Sequence, residues 1–144
     1  MNAAVYLSRP GVLSAVGDGL AATVAALLRP QPPQLSRSEA WVRGRNLPVG
    51  AVNQALRPFA PTVPPGLSSR NNQLLWHALA AVEPQIEAAK QRYGADRVAV
   101  VLGTSTSGVD ENIAAFTHVV AGGGWADSGF GQPHQLLSSP AEFV

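Results

Sequence analysis

The chain has 144 residues, 46% of them hydrophobic and only 13% charged, with a formal net charge of +1. That length suits one domain able to bury about 68–70% of its unfolded surface, and the near-zero charge leaves no electrostatic footprint for nucleic acid. The absence of cysteine excludes disulfides, thiolate metal sites and a cysteine nucleophile within these residues, and it fits a cytoplasmic origin.

Ala3 to Leu7 reads as a short strand, followed by the turn residues Ser8-Arg9-Pro10-Gly11. No basic region precedes the first apolar residues, so a signal peptide is not expected. Leu20, Val24, Leu27 and Leu28 share one helical face. Asp18 is placed to cap that helix and Pro30 to stop it, and the helix is expected to lie against a sheet. Residues 30 to 66 carry eight of the twelve prolines and read as an excursion from a single partial domain, residues 1 to 144. Within it only Leu47 to Val52 looks like a strand, and then an edge or irregular one because of Pro48.

Ser68 or Ser69 opens the longest helical pattern, with Leu75, Ala78, Leu79, Val82, Ile86 and Ala89 on one face. Pro84 should kink or divide it near Val82, and Gly94 should close it behind Lys90 and Arg92. Val98 to Leu102, apolar and β-branched, reads as a strand buried on both faces of a parallel sheet. It runs into Gly103-Thr-Ser-Thr-Ser-Gly108, and a helix capped by Ser107 or Asp110 follows, its inward face Ile113, Phe116 and Val120. Gly122-Gly123-Gly124 ends it. The rest is loop-like, with Ala141 to Val144 the start of another helix. No apolar run reaches the roughly 18 residues of a membrane span. The order is α/β, with a sheet that looks unfinished, so apolar surface is expected to be exposed and to promote association.

Gly103 to Gly108 has the two-glycine spacing of a phosphate loop, but Val109 and Asp110 stand where the lysine and hydroxyl should follow. It is not a Gly-x-Ser-x-Gly elbow either, because its fifth position is Ser107. A tight strand-to-helix turn explains the small residues better. Gly17-Asp-Gly19-Leu-Ala-Ala22, with Glu39 about 20 residues on, matches a relaxed dinucleotide fingerprint. Asp18 would occupy the pyrophosphate position, so a helix-entry turn is the better reading. His77, His118 and His134 share no metal-ligand spacing. Trp41, Trp76 and Trp125 read as packing anchors.

Three segments resemble the β-ketoacyl-acyl-carrier-protein synthases. Val5-Tyr-Leu-Ser-Arg-Pro-Gly-Val-Leu-Ser-Ala-Val-Gly17 and the helix ending Ala25-Ala-Leu-Leu28 are similar to the family's opening strand, glycine-serine turn and first helix. Arg70, the Ala78-Leu79-Ala80-Ala81 helix and Arg97-Val-Ala-Val-Val-Leu-Gly-Thr-Ser-Thr-Ser-Gly108 resemble its second helix and the following strand and loop. Pro140-Ala-Glu-Phe-Val144 resembles the approach to its nucleophile helix. The resemblance implies an incomplete N-terminal half of a thiolase-like layered αβαβα fold, found as a dimer. It also implies decarboxylative condensation of an acyl thioester with malonyl-acyl-carrier protein, in fatty-acid or polyketide elongation.

In that family a cysteine at a helix N-terminus accepts the acyl chain, which suits a lowered thiol pKa. Two histidines and a lysine in the second half assist. Here the sequence stops just before the cysteine segment, and His77, His118 and His134 do not match the family histidines. No catalytic residue, metal or cofactor is therefore implied. What carries over is the loop bordering the acyl pocket, which makes Thr104, Ser105, Thr106 and Ser107 the candidate substrate-binding residues. Thr106 stands where chain length or entry would be limited. The partners implied are acyl-carrier protein, an acyl thioester and a second subunit. A non-catalytic partner similar to chain-length factors is a competing reading, and a small nucleotide-binding α/β module is another.

Overall fold

A computed structural model describes residues 4–31 and 35–144. The chain divides into two compact units, one running to Ala55 and including Ala78–Ala89, the other Leu56–His77 with Lys90–Val144.

In the first unit the expected strand Ala3 to Leu7 is not formed: Ala3 lies outside the described residues, and Val5, Tyr6 and Leu7 are irregular and exposed. The chain instead makes its first reversal within the glycine-serine turn. β1 (Leu13–Ser14) pairs antiparallel with β2 (Gly17–Asp18), Leu13 opposite Asp18. The Ser14 hydroxyl accepts the Val16 amide at 3.3 Å and donates to the Gly17 carbonyl at 3.4 Å. The helix α1 (Leu20–Leu27) opens at Gly19, whose φ of 85° suits a residue without Cβ. Gly19, and not Asp18, occupies its N-cap position. The helix stops before Pro30 as expected.

Its apolar face is not covered. Val24, Leu27 and Leu28 are exposed, and Ala26 is the buried residue. The strands of this unit are two or three residues long, too short to shield a helix face. β3 (Ser36–Ser38) pairs antiparallel with β4 (Leu47–Val49), Arg37 opposite Pro48. A proline is tolerated there because the two-stranded ribbon has a free edge. Arg37 Nη2 donates to the Asn46 carbonyl at 2.6 Å. Pro32, Pro33 and Gln34 of the proline-rich excursion lie outside the described residues.

The long helical pattern becomes α2 (Arg70–Leu79) and α3 (Glu83–Tyr93). Pro84 causes the division: as the second residue of α3 it sits where its missing N–H is not needed. Continuing α2 through it would lose a bond and clash with the turn before. Gly94, at φ 92°, gives its amide to the Lys90 carbonyl at 2.9 Å and closes α3 behind Lys90 and Arg92.

The second unit is organised around buried polar side chains, most of them hydrogen-bonded. Ser69, Asn72, Ser107, Asn112 and Ser139 are buried, and the buried apolar side chains there, among the described residues, are Ala115 and Pro140. Ser69 Oγ accepts the Asn72 amide at 3.1 Å and so caps α2. Asn72 Nδ2 donates to the Leu67 carbonyl at 2.9 Å, and reaches Ser139 Oγ at 3.5 Å. Leu67 belongs to a 3-10 turn, Pro65–Leu67, and Ser139 opens a terminal helix. A second 3-10 turn, Asp110–Asn112, leads into α4 (Ile113–Val120), and α5 (Gln132–Gln135) and α6 (Ser139–Phe143) complete the unit.

Two expectations fail here. Val98 to Leu102 is not a buried strand: it forms no ladder, and Val101 is 91% exposed. Its apolar run has the character of a central strand, but a strand needs a neighbour, and the described strands pair only as β1 with β2 and β3 with β4. Ile113, Phe116 and Val120 are likewise exposed, not inward. The buried residue on α4 is Ala115, small enough to sit under its neighbours. Neither Ser107 nor Asp110 makes a capping side-chain bond to that helix.

Aromatic contacts supply the apolar packing. Phe143 meets Phe59 and Trp76 edge-on at 5.4 and 5.9 Å, and Phe116, Trp125 and Phe130 form a second edge-on trio at 5.6–5.8 Å. Trp76 is the most tied: its indole N–H donates to the Pro58 carbonyl at 3.1 Å, and the Arg57 guanidinium lies 3.8 Å over its ring. Trp76→Phe keeps a ring for Phe143 but loses the hydrogen bond and the stronger cation–π face. It should cost about 1–2 kcal/mol, measured as a fall in the urea midpoint.

Candidate functional site

The loop Gly103 to Gly108 connects the extended Val98–Leu102 segment to the helical region beginning at Asp110. Its conformation is set by its own hydroxyls: Thr104 Oγ1 donates to the Thr106 carbonyl and accepts the Thr106 amide. This local closure turns Thr104 and Thr106 to different surroundings. Thr104 lines a cavity of about 120 Å³ with Gly103, Leu102, Leu75 and Pro140, whose walls are largely apolar. Thr106 and Ser107 line a neighbouring groove of about 390 Å³ with Gly108, Asp110 and Glu111, opposite Arg70 and Asn71 of α2. Ser105 is exposed and lies on neither wall.

Close backbone approach makes the groove possible. A Cβ on Gly108 would stand 2.7 Å from Ser69 Cβ and from Glu111 Oε2, so glycine lets the loop pass against the start of α2. Glu111 Oε1 accepts the Arg70 amide, an interaction spanning 41 residues of sequence. The carboxylate that follows the loop therefore closes the start of α2 rather than its own helix. Thr104, Thr106 and Ser107 were legible as loop residues. Arg70, Asn71 and Glu111 carry no local sign of belonging with them, and the only hint was the Ser69 cap that fixes where α2 begins.

The histidines lie elsewhere. His77 Nδ1 accepts the Arg57 amide at 3.0 Å, and His134 Nε2 is 3.2 Å from the Pro65 carbonyl. His118 packs beside Gly123, where a Cβ would come within 2.1 Å of its Nε2. No group of three or more metal-ligating side chains occurs among the described residues. Among them, too, no helix is long and apolar enough to cross a membrane. At Gly19 the relaxed dinucleotide spacing is the entry to α1, the helix-entry turn expected of it.

The architecture is α/β and of thiolase-like kind, a fragment of that fold. It matches a chain of the complex of a ketosynthase (ApeO) with its chain length factor (ApeC) from Xenorhabdus doucetiae, at a TM-score of 0.77 and 32% identity. The match covers 96% of this chain, which spans 35% of that one. The chain thus has a ketosynthase-like relative. No protein-family model and no curated protein matches it.

Proposed function

We propose that this chain is the N-terminal portion of a β-ketoacyl-acyl-carrier-protein synthase, acting in fatty-acid or polyketide elongation by decarboxylative condensation. The observation that carries the reading is the 32% identity to a ketosynthase-complex chain sustained over 96% of these residues. In this reading the 144 residues contribute a wall of the acyl cavity and no reactive atom, since they contain no cysteine. Thr104, with Leu75, Leu102 and Pro140 beside it, faces the hydrocarbon, and Thr106, on the neighbouring groove, limits chain length or entry. Acyl-carrier protein delivers the thioester. A second subunit, identical or different, covers apolar surface such as Val101 and Val120, which is exposed here. A chain-length-factor-like role is the second reading, favoured by the presence of such a subunit in the matched complex.

The test is a ligand comparison on the 144-residue chain. An acyl-pantetheine thioester should raise its melting temperature and shift the amides of Gly103 to Ser107, while intact mass shows no acyl adduct. A rise with ATP or NAD and none with the thioester would replace this reading by the nucleotide-module one. An acyl adduct would overturn the assignment of a purely passive wall.

A further inference from the structure

We propose that the groove between the start of α2 and the loop Thr106 to Glu111 is a binding site for a primary ammonium or guanidinium group. The inference starts from two polar atoms. Ser107 Oγ and Glu111 Oε2 are both shielded from solvent and neither has a hydrogen-bond partner. Ser107 is only 8% exposed, yet both residues line a groove of about 390 Å³. A carboxylate oxygen taken out of water without a partner is costly, and this one cannot turn away, because the other oxygen of Glu111 holds the Arg70 amide.

Charge selects among the groups that fit. The lining residues include Asp110 and Glu111 against Arg70 alone, a net formal charge of −1 even with Arg70 counted in full. A carboxylate or phosphate would be repelled by that balance, and would bring no donor to Glu111 Oε2. A hydrocarbon offers no donor at all. A neutral hydroxyl or amide could donate but would leave the charge uncompensated. An ammonium or guanidinium does both: it donates to Glu111 Oε2, to the Ser107 hydroxyl as acceptor, and offsets the negative balance. The group could come from a free amine or from a lysine or arginine side chain of a polypeptide, and the chemistry of the site is the same for both.

The site shares Thr106 and Ser107 with the loop of the acyl-thioester reading but does not depend on that reading, and it is tested with no thioester present, so either can fail alone. The amides of Arg70, Ser107 and Gly108 are followed by NMR while the 144-residue chain is titrated at constant ionic strength. The probes are n-propylammonium, 1-propanol, propionate and, as the polypeptide-borne source, acetyl-lysine amide. The ammonium probes should give saturating shifts, and propanol and propionate should not. Saturation by n-propylammonium alone would assign the site to free amines; saturation by both would admit lysine side chains as well.

Glu111→Gln keeps an oxygen for the Arg70 amide but replaces the unpaired carboxylate oxygen by a donor. It should weaken ammonium binding by at least about tenfold, the loss expected from one charge-assisted hydrogen bond. Ser107→Ala should weaken it several-fold and yet leave the unliganded chain no less stable, because it removes a buried hydroxyl that bonds to nothing. A purely structural serine would not separate those two readouts. Shifts that fail to saturate, equal binding by Glu111→Gln, or equal response to propionate would each overturn the proposal.

Discussion

Replacing Asn112 by alanine should destabilise the second unit by about 2–3 kcal/mol, more than any exposed apolar truncation in the chain. Asn112 has no exposed surface, and its amide group is used at both ends: Oδ1 accepts the Gly131 amide and Nδ2 donates to the Gly131 carbonyl, each at 2.9 Å. The side chain thus substitutes for a strand neighbour, giving an isolated stretch of backbone the two bonds that a ladder would supply. Alanine leaves the Gly131 amide without a partner, at about 1–3 kcal/mol, and strips from the Gly131 carbonyl the shorter of its two bonds, at about 0.5–1.5 kcal/mol, the other coming from the His134 amide at 3.2 Å. The site is partly buried, which places the sum at the lower end. At roughly 2–4 °C per kcal/mol for a chain of this size, the melting temperature should fall by about 5–10 °C.

The loss should also be local. Gly131 follows Phe130, so the edge-on trio of Phe116, Trp125 and Phe130 should loosen and the Gly131 amide should exchange faster with solvent. Asn72 provides the contrast. It is equally buried, but its Oδ1 has no partner, so Asn72→Ala relieves one unfavourable group while breaking its bonds to Leu67 and Ser139. It should cost clearly less than Asn112→Ala. Equal losses at the two positions would mean that the pincer on Gly131 contributes nothing special.

That these two asparagines hold the second unit could not be read from the sequence. Their partners lie 5, 19 and 67 residues away, and an asparagine in a polar stretch such as Arg70-Asn71-Asn72-Gln73 looks like a solvated surface. What was legible was what depends on a few neighbouring residues. Pro84 divides a helix wherever it stands, Gly94 closes one, and Ser69 caps one, all through bonds within four positions. The run Val98 to Leu102 shows the limit from the other side. Its β-branched, apolar character states what the segment would bury if a neighbour lay alongside, and says nothing about whether one does. The same holds for Ile113, Phe116 and Val120. Periodicity found the helix, while its covered side is decided by packing partners that the pattern does not contain. The candidate site divides in the same way: Thr104 to Ser107 were visible as a loop of small hydroxyls, whereas the α2 wall is brought to it by the long-range Arg70–Glu111 bond.

Gly11 and Gly103 both belong to segments that carry the family resemblance, and alanine should separate them sharply. A Cβ on Gly11 would lie 2.2 Å from the Ala78 carbonyl oxygen and 3.2 Å from its carbon. These are backbone atoms at the end of α2, and the same carbonyl accepts the Ala81 amide at 3.3 Å. No side-chain rotation can relieve the overlap; either the segment at Gly11 or the turn Ala80–Val82 must move by about an ångström, a shift of the kind that costs about 1–3 kcal/mol when forced on a packed region. Around Gly103 nothing lies within 4 Å of the added carbon, and its φ is not in the left-handed range. There alanine only restricts the unfolded chain and should stabilise by about 0.4–1 kcal/mol. Paired urea titrations should therefore give midpoints displaced in opposite directions, with faster exchange of the Ala81 amide in Gly11→Ala alone. Stabilisation by both variants would mean that the Gly11 segment does not pass against α2 as closely as described.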